Sequence, residues 1–185
     1  MKKSILVLFL FSLVASGAFT QNIALSAGGG AQFDLGVPLL DYDGFDVYFG
    51  GYVFFDATYV ELSGGVGYYR LTDPGLYGTS LRFSLLGKYN LSLWGFDLFP
   101  LLGIRFSVPL NMSLDGNSVS EFMVGDNIRL GFQAGVGKDF SFGESLFMRA
   151  SLLYNMDLYA PGANPFNDIF YSIGPIFRIG LGRKF

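Results

Sequence analysis

Six basic residues, Arg82, Lys88, Arg105, Arg129, Arg149 and Arg178, stand singly among small or apolar neighbours rather than in a basic run. Arg82 lies between Ser80 and Ser84 in a two-residue rhythm, and Arg105 between Gly103 and Ser107. Cations spaced in this way can hold an anion, pair with carboxylates or line a passage, and rings of arginine and lysine favour anions. Glu61, alternating with Ser63, Gly65 and Gly67, is the acid in the equivalent mid-segment position, with Asp56 and Asp97 nearer one end. A charge in a dry interior needs a partner, and six cations outnumber one or three acids. The expectation is a basic interior that holds water or anions or is covered by acidic loops. Glu61 with one of Arg82, Arg149 or Arg178 is the candidate central ion pair.

Other chemistries lack their residues. The chain has no histidine and no cysteine, and histidine is the commonest general base at neutral pH. Without cysteine there is no disulfide framework and no thiolate metal site. No two acids combine inward positions with an obvious partner, so no catalytic residue, cofactor or metal site is expected, and the chain is not expected to be an enzyme. The stretch "DYDGFD" (41–46) has part of a calcium-loop pattern but lacks the downstream bidentate glutamate. The scattered basic residues argue against a nucleic-acid partner.

The elements that would position these charges read as strands. Half of the 185 residues are apolar, 18% are aromatic and 26 are glycine, a composition too glycine-rich for a helical bundle and too apolar for disorder. Period-two alternation recurs in eight segments, at about 22–34, 46–56, 58–70, 79–91, 96–108, 127–138, 145–156 and 168–185. In the third, Val60, Leu62, Val66 and Tyr68 oppose Glu61, Ser63, Gly65 and Gly67; in the sixth, Leu130, Phe132 and Val136 oppose Arg129, Gly131, Gln133 and Gly135. The second is apolar on both faces and does not declare its register. Short connections follow segments 2, 4 and 6. Longer ones, carrying proline, asparagine and aspartate, follow segments 1, 3, 5 and 7. In an antiparallel meander all short turns then lie at one end and all long loops at the other.

The glycines and arginines share a face, and the large apolar residues form the opposite one. An eight-stranded barrel has an interior only just wide enough for side chains, so small residues suit its concave wall and the apolar band suits lipid. In lipid a sheet must close, because an open edge leaves backbone groups unsatisfied. Tyr68, Tyr89, Trp94, Phe96, Phe132, Tyr154, Tyr171 and Phe185 are placed for two interfacial aromatic girdles. The start, "MKKSILVLFLFSLVASGAFT", has the layout of a secretory signal peptide. This predicts a cleaved leader over 1–20 and one domain over 21–185, an all-β, eight-stranded antiparallel up-and-down transmembrane β-barrel.

The last strand, "YSIGPIFRIGLGRKF", alternates apolar residues and ends in phenylalanine. With the leader and eight amphipathic segments, it makes residues 21–185 similar to small outer-membrane β-barrel proteins of the OmpX, OmpW and OmpA membrane-domain type. The resemblance implies a bacterial outer-membrane location and a monomer among membrane lipids. It also implies that Tyr171, Ile173, Phe177, Ile179, Leu181 and Phe185 form the signal read by the barrel assembly machinery. Pro100 and Pro175 interrupt strands, and a bulge or distortion is expected at both. Ten acids, Asp34, Asp41, Asp43, Asp46, Asp73, Asp115, Glu121, Asp126, Asp157 and Asp168, are assigned to the long-loop end, where an extracellular partner could dock. The reading is a structural or surface-interaction barrel with a largely plugged, basic lumen. Its alternatives are a narrow channel or small-ligand conduit and a secreted, soluble lipocalin-like binder.

Overall fold

The computed structural model describes residues 24–38, 45–71, 75–93, 96–114, 117–118, 128–159 and 170–185. The leader and most of the long loops, with Trp94, Asp41, Asp43, Asp73, Asp115, Glu121, Asp126 and Asp168, lie outside the described residues, as do the side chains of Phe96 and Tyr171. Among the described residues ten strands are formed: β1 (Leu25–Pro38), β2 (Asp46–Ala57), β3 (Val60–Leu71), β4 (Leu76–Lys88), β5 (Leu91–Leu93), β6 (Phe96–Leu114), β7 (Asn117–Ser118), β8 (Arg129–Phe142), β9 (Leu146–Tyr159) and β10 (Phe170–Lys184). Eight of them close a wall in the order β1-β2-β3-β4-β6-β8-β9-β10, with β10 returning to β1, every pair antiparallel. The short β5 and β7 only extend the two ends of β6.

The registers fix the barrel's shape. One circuit runs Asp139↔Arg149, Arg149↔Gly180, Gly180↔Gly30, Gly30↔Tyr52, Tyr52↔Gly65, Gly65↔Arg82, Arg82↔Ser107 and Ser107↔Arg129. The path leaves β8 at 139 and re-enters it at 129, a displacement of ten residues toward the long-loop end. Strands in such a wall tilt by roughly 35–45°, so a line drawn across them climbs the barrel as it goes round.

The apolar set faces outward. Val53, Leu102, Ile179 and Leu181 on three different strands are more than half exposed, as are the girdle candidates Tyr68, Tyr89, Tyr154 and Phe185. A soluble lipocalin-like barrel would turn these residues inward. The second segment resolves as Tyr48, Tyr52 and Phe54 inward against Phe49, Val53 and Phe55 outward. It is apolar on both faces because inner-wall glycines make room for its rings: a Cβ at Gly28 would collide with Phe54, and one at Gly67 with Tyr48.

The proline expectation needs correction at Pro100, while at Pro175 the ladder is interrupted. At Pro100 there is no bulge: Pro100↔Val136 lies in an unbroken register, and the Pro100 carbonyl accepts the Tyr89 N–H at 3.3 Å. At Pro175 the β1–β10 pairing skips Leu35 and Gly36 and resumes at Val37↔Ile173 without a shift. The register shift in the β4–β6 pairing lies elsewhere, where Thr79 faces Asn111 and Ser80 faces Pro109. Pro109 has no N–H for the ladder, Leu110 becomes the extra residue, and the Asn111 side chain accepts the Thr79 N–H at 2.8 Å. Several strands also run past their expected ends: β1 to Pro38, β6 to Leu114 and β9 to Tyr159.

Candidate functional site

Inner positions are set by strand parity, and the closed wall brings charges from all eight strands into one lumen. At the short-turn end Lys88 donates to Asp56 at 2.6 Å. Asp56 also accepts from Arg149 Nη2 at 2.6 Å. Arg149 holds Asp139 through Nε and Nη2, both at 2.7 Å, and Glu61 through Nη1 at 2.8 Å. Glu61 lies 3.5 Å from Arg178 Nη1, and Arg178 Nε donates to Gln32 at 2.8 Å. Gln32 Nε2 donates to Asp34 at 2.8 Å, and Asp34 pairs with Arg82 and, at 2.6 Å, with Arg105. Arg105 Nη2 reaches Asp157 at 2.5 Å. One connected chain of polar side chains thus runs up the lumen. Near the top, Arg129 donates to Asp46 at 2.6 Å.

Among the described residues the expected excess of positive charge is not there. Arg82, Lys88, Arg105, Arg129, Arg149 and Arg178 face six carboxylates: Asp34, Asp46, Asp56, Glu61, Asp139 and Asp157. Asp34, Asp46 and Asp157, assigned to the long-loop end, are buried; β1 and β9 continue past the ends read from the sequence, while β2 begins at Asp46 as read. Asp34 and Asp157 hold the same parity as Gln32 and Asn155, which was the available signal. Asp97 instead lies exposed at the rim, bonded to Ser92. Glu61 joins Arg149 and Arg178, whereas Arg82 goes to Asp34.

Aromatic and aliphatic side chains fill the space around the charges. The Arg149 guanidinium carbon lies 4.7 Å from the Phe54 ring centroid, 4.8 Å from Phe99 and 5.2 Å from Phe147. Lys88 Nζ lies 4.3 Å from the Phe99 centroid, and Arg82 stacks on Tyr48 at 3.4 Å. Halfway up, Leu86, Leu101, Leu153 and Ile176 form an inward apolar ridge together with Phe99. Leu101, Leu153 and Ile176 share one register line with Gly135 between the first two. The sequence reading placed Phe99 and Leu153 inward but did not single out the ridge, although Leu86 follows Arg82 and Ser84 in parity, and Leu101 follows Phe99. The cavity beside Asp34, Arg82, Arg105 and Asp157 measures about 10 Å³, roughly the space of one water molecule.

The terminal-strand residues stand apart from this interior. Phe177, Ile179, Leu181 and Phe185 point outward and are half exposed or more, Ile173 is partly covered, and Tyr171 is placed by its backbone in β10. The Phe185 N–H bonds the Leu25 carbonyl at 2.9 Å, tying the chain's last residue to the start of β1.

No family model matches the sequence, and no curated protein matches it. Solved structures do match in fold. The outer membrane protein OprG from Pseudomonas aeruginosa is similar with a TM-score of 0.50 at 13% identity, over 88% of this chain and 95% of that one. Neisserial surface protein A (NspA) is similar with a TM-score of 0.51 at 17% identity, over 89% of this chain and 100% of that one. At these identities the likeness is one of architecture.

Proposed function

We propose that this chain, a small eight-stranded β-barrel of the bacterial outer membrane, is a non-conducting, non-enzymatic barrel with a structural or surface-interaction role. Its location follows from a closed wall whose apolar residues face outward, where only lipid accommodates them. The observation that carries the functional reading is the filled lumen. Six cations meet six carboxylates in the interior, and the ridge of Leu86, Leu101, Leu153 and Ile176 occupies the space beside them. An ion crossing this interior would have to break buried pairs, each of which leaves an uncompensated charge when opened. The balance of charge also removes the premise of an anion-selective pore.

On this reading the working surface is the end that carries the long loops, where an extracellular partner would dock. Phe177, Ile179, Leu181 and Phe185, with Tyr171 and Ile173, serve insertion by the barrel assembly machinery, and the barrel works as a monomer. Planar-bilayer recording of the refolded protein tests the lumen: no sustained conductance steps are expected. Stable steps, with or without anion preference, would overturn the reading in favour of a narrow channel.

A further inference from the structure

We propose that the wall opens first along the seam between β6 and β8, and that the Arg105–Asp157 ion pair is the clasp that holds this seam shut from inside. Such a device goes beyond the filled lumen and does not depend on whether the barrel conducts.

The backbone makes this seam the weakest. Among the described residues, the β6–β8 ladder runs only from Phe99↔Gly137 to Ser107↔Arg129, nine residues of each strand. Every other ladder round the wall covers eleven or more. Strand length does not set this limit, since β6 spans Phe96–Leu114 and β8 continues to Phe142. The Pro100 carbonyl accepts the N–H of Tyr89, which follows β4, and successive residues of an antiparallel strand face alternate neighbours. Leu102, Ile104 and Phe106 therefore bond to β4. Phe99, Leu101, Gly103, Arg105 and Ser107 bond to β8, where their partners are Gly137, Gly135, Gln133, Gly131 and Arg129. Three of these five partners are glycine, which brings no side chain to pack across the seam.

Side chains from β6 and β9 make up for this by meeting over β8. Arg105, Gly131 and Asp157 share one register line. Arg105 Nη2 reaches Asp157 Oδ2 at 2.5 Å, and a Cβ at Gly131 would collide with that carboxylate. Toward the short-turn end Leu101, Gly135 and Leu153 repeat the arrangement with two buried leucines. Lower still, the Phe99 ring covers Gly137, where a Cβ would strike it. Three straps thus cross the glycines of β8, and one of them is charged. Opening the seam at that strap parts a buried ion pair, which is costly, so its loss should loosen the seam selectively.

Amide hydrogen exchange of the refolded protein in micelles, resolved by residue with NMR, reads local opening. In the wild type Leu101 and Gly103 should be less protected than Leu102 and Ile104, their neighbours at the same depth in the same strand. Arg105→Met should widen that gap about tenfold, the worth of one charge-assisted hydrogen bond. Asp157→Asn, which leaves Asp34 and its partners in place, should widen it similarly. Relative to Leu102 and Ile104, the amides of the β1–β10 ladder should not change; an unboiled gel shift verifies that each variant is folded. Equal protection of the two sets in the wild type, or a fall spread evenly over all ladders in both variants, overturns the proposal. So does a β1–β10 ladder that exchanges before β6–β8, because that seam has its own interruption at Pro175.

Discussion

The short-turn half of the lumen gathers three carboxylates and three aromatic rings around one guanidinium, Arg149. The long-loop half divides two guanidiniums, Arg82 and Arg105, between Asp34 and Asp157. Both halves neutralise charge, but they differ in how completely their polar atoms are matched. In the upper half, Arg82 Nε, Arg105 Nε, Ser107 Oγ, Asn155 Oδ1, Asp157 Oδ1 and both amide atoms of Gln133 are buried without a protein partner. Among the described residues of the lower half, only Asp56 Oδ1 and the Tyr52 hydroxyl share that condition. Aromatic packing explains the difference. Rings from β2, β6 and β9 close the lower lumen down to the donors and acceptors that pair. In the upper lumen Arg105 spans to Asp34 and Asp157 and Arg82 stacks on Tyr48, while the shorter side chains of Ser107, Gln133 and Asn155 around them are left with unmatched atoms. The lower half acts as the keystone of the interior and the upper half as a looser polar chamber.

Breaking the keystone should have the largest effect. Arg149→Met removes the common partner of Asp56, Glu61 and Asp139, and breaking a buried ion pair by deleting one member costs about 3–5 kcal/mol. The urea midpoint of the refolded barrel, followed by the unboiled gel shift, measures the loss. Arg105→Met should cost less, about 2–3 kcal/mol, because Asp34 keeps Arg82 and Gln32 and only Asp157 loses its salt bridge. If Arg105→Met proves the more damaging of the two, the ranking of the halves is wrong.

The two halves were also unequally legible in the sequence. Period-two alternation is a local property, so the outward band of Leu62, Phe83, Ile179 and their neighbours, and the inward parity of the six basic residues, could be read from single segments. Closure and register are not local. That Arg149 meets Glu61 across the barrel, and that Arg82 meets Asp34 instead, depends on the ten-residue displacement around the wall, which no single segment contains. The acids of the upper half were misread for a different reason. Asp34 and Asp157 sit where aspartate usually signals a turn, so they marked the ends of β1 and β9 in the reading although their parity already matched Gln32 and Asn155. In β2 the glycine-for-ring exchange across strands, Gly28 against Phe54 and Gly67 against Tyr48, hid the register until the neighbours were known.

Gln133→Leu sharpens the comparison from the other side and should have the smallest effect of the substitutions considered. Gln133 is 1% exposed, and neither amide atom has a protein partner. Removing a polar group whose hydrogen bonds are unmade forfeits little, and replacing it by an apolar group of similar size can be neutral or stabilising. The inward ridge of Leu101 and Leu153 lies one residue row below, on the same side of the lumen, so a leucine at 133 extends an existing apolar surface. The expected change in unfolding free energy is within about 1 kcal/mol of zero, read from the same urea midpoint. A loss as large as that of Arg149→Met would show that Gln133 is satisfied as fully as the keystone residues, and the two halves of the lumen would then be equally built.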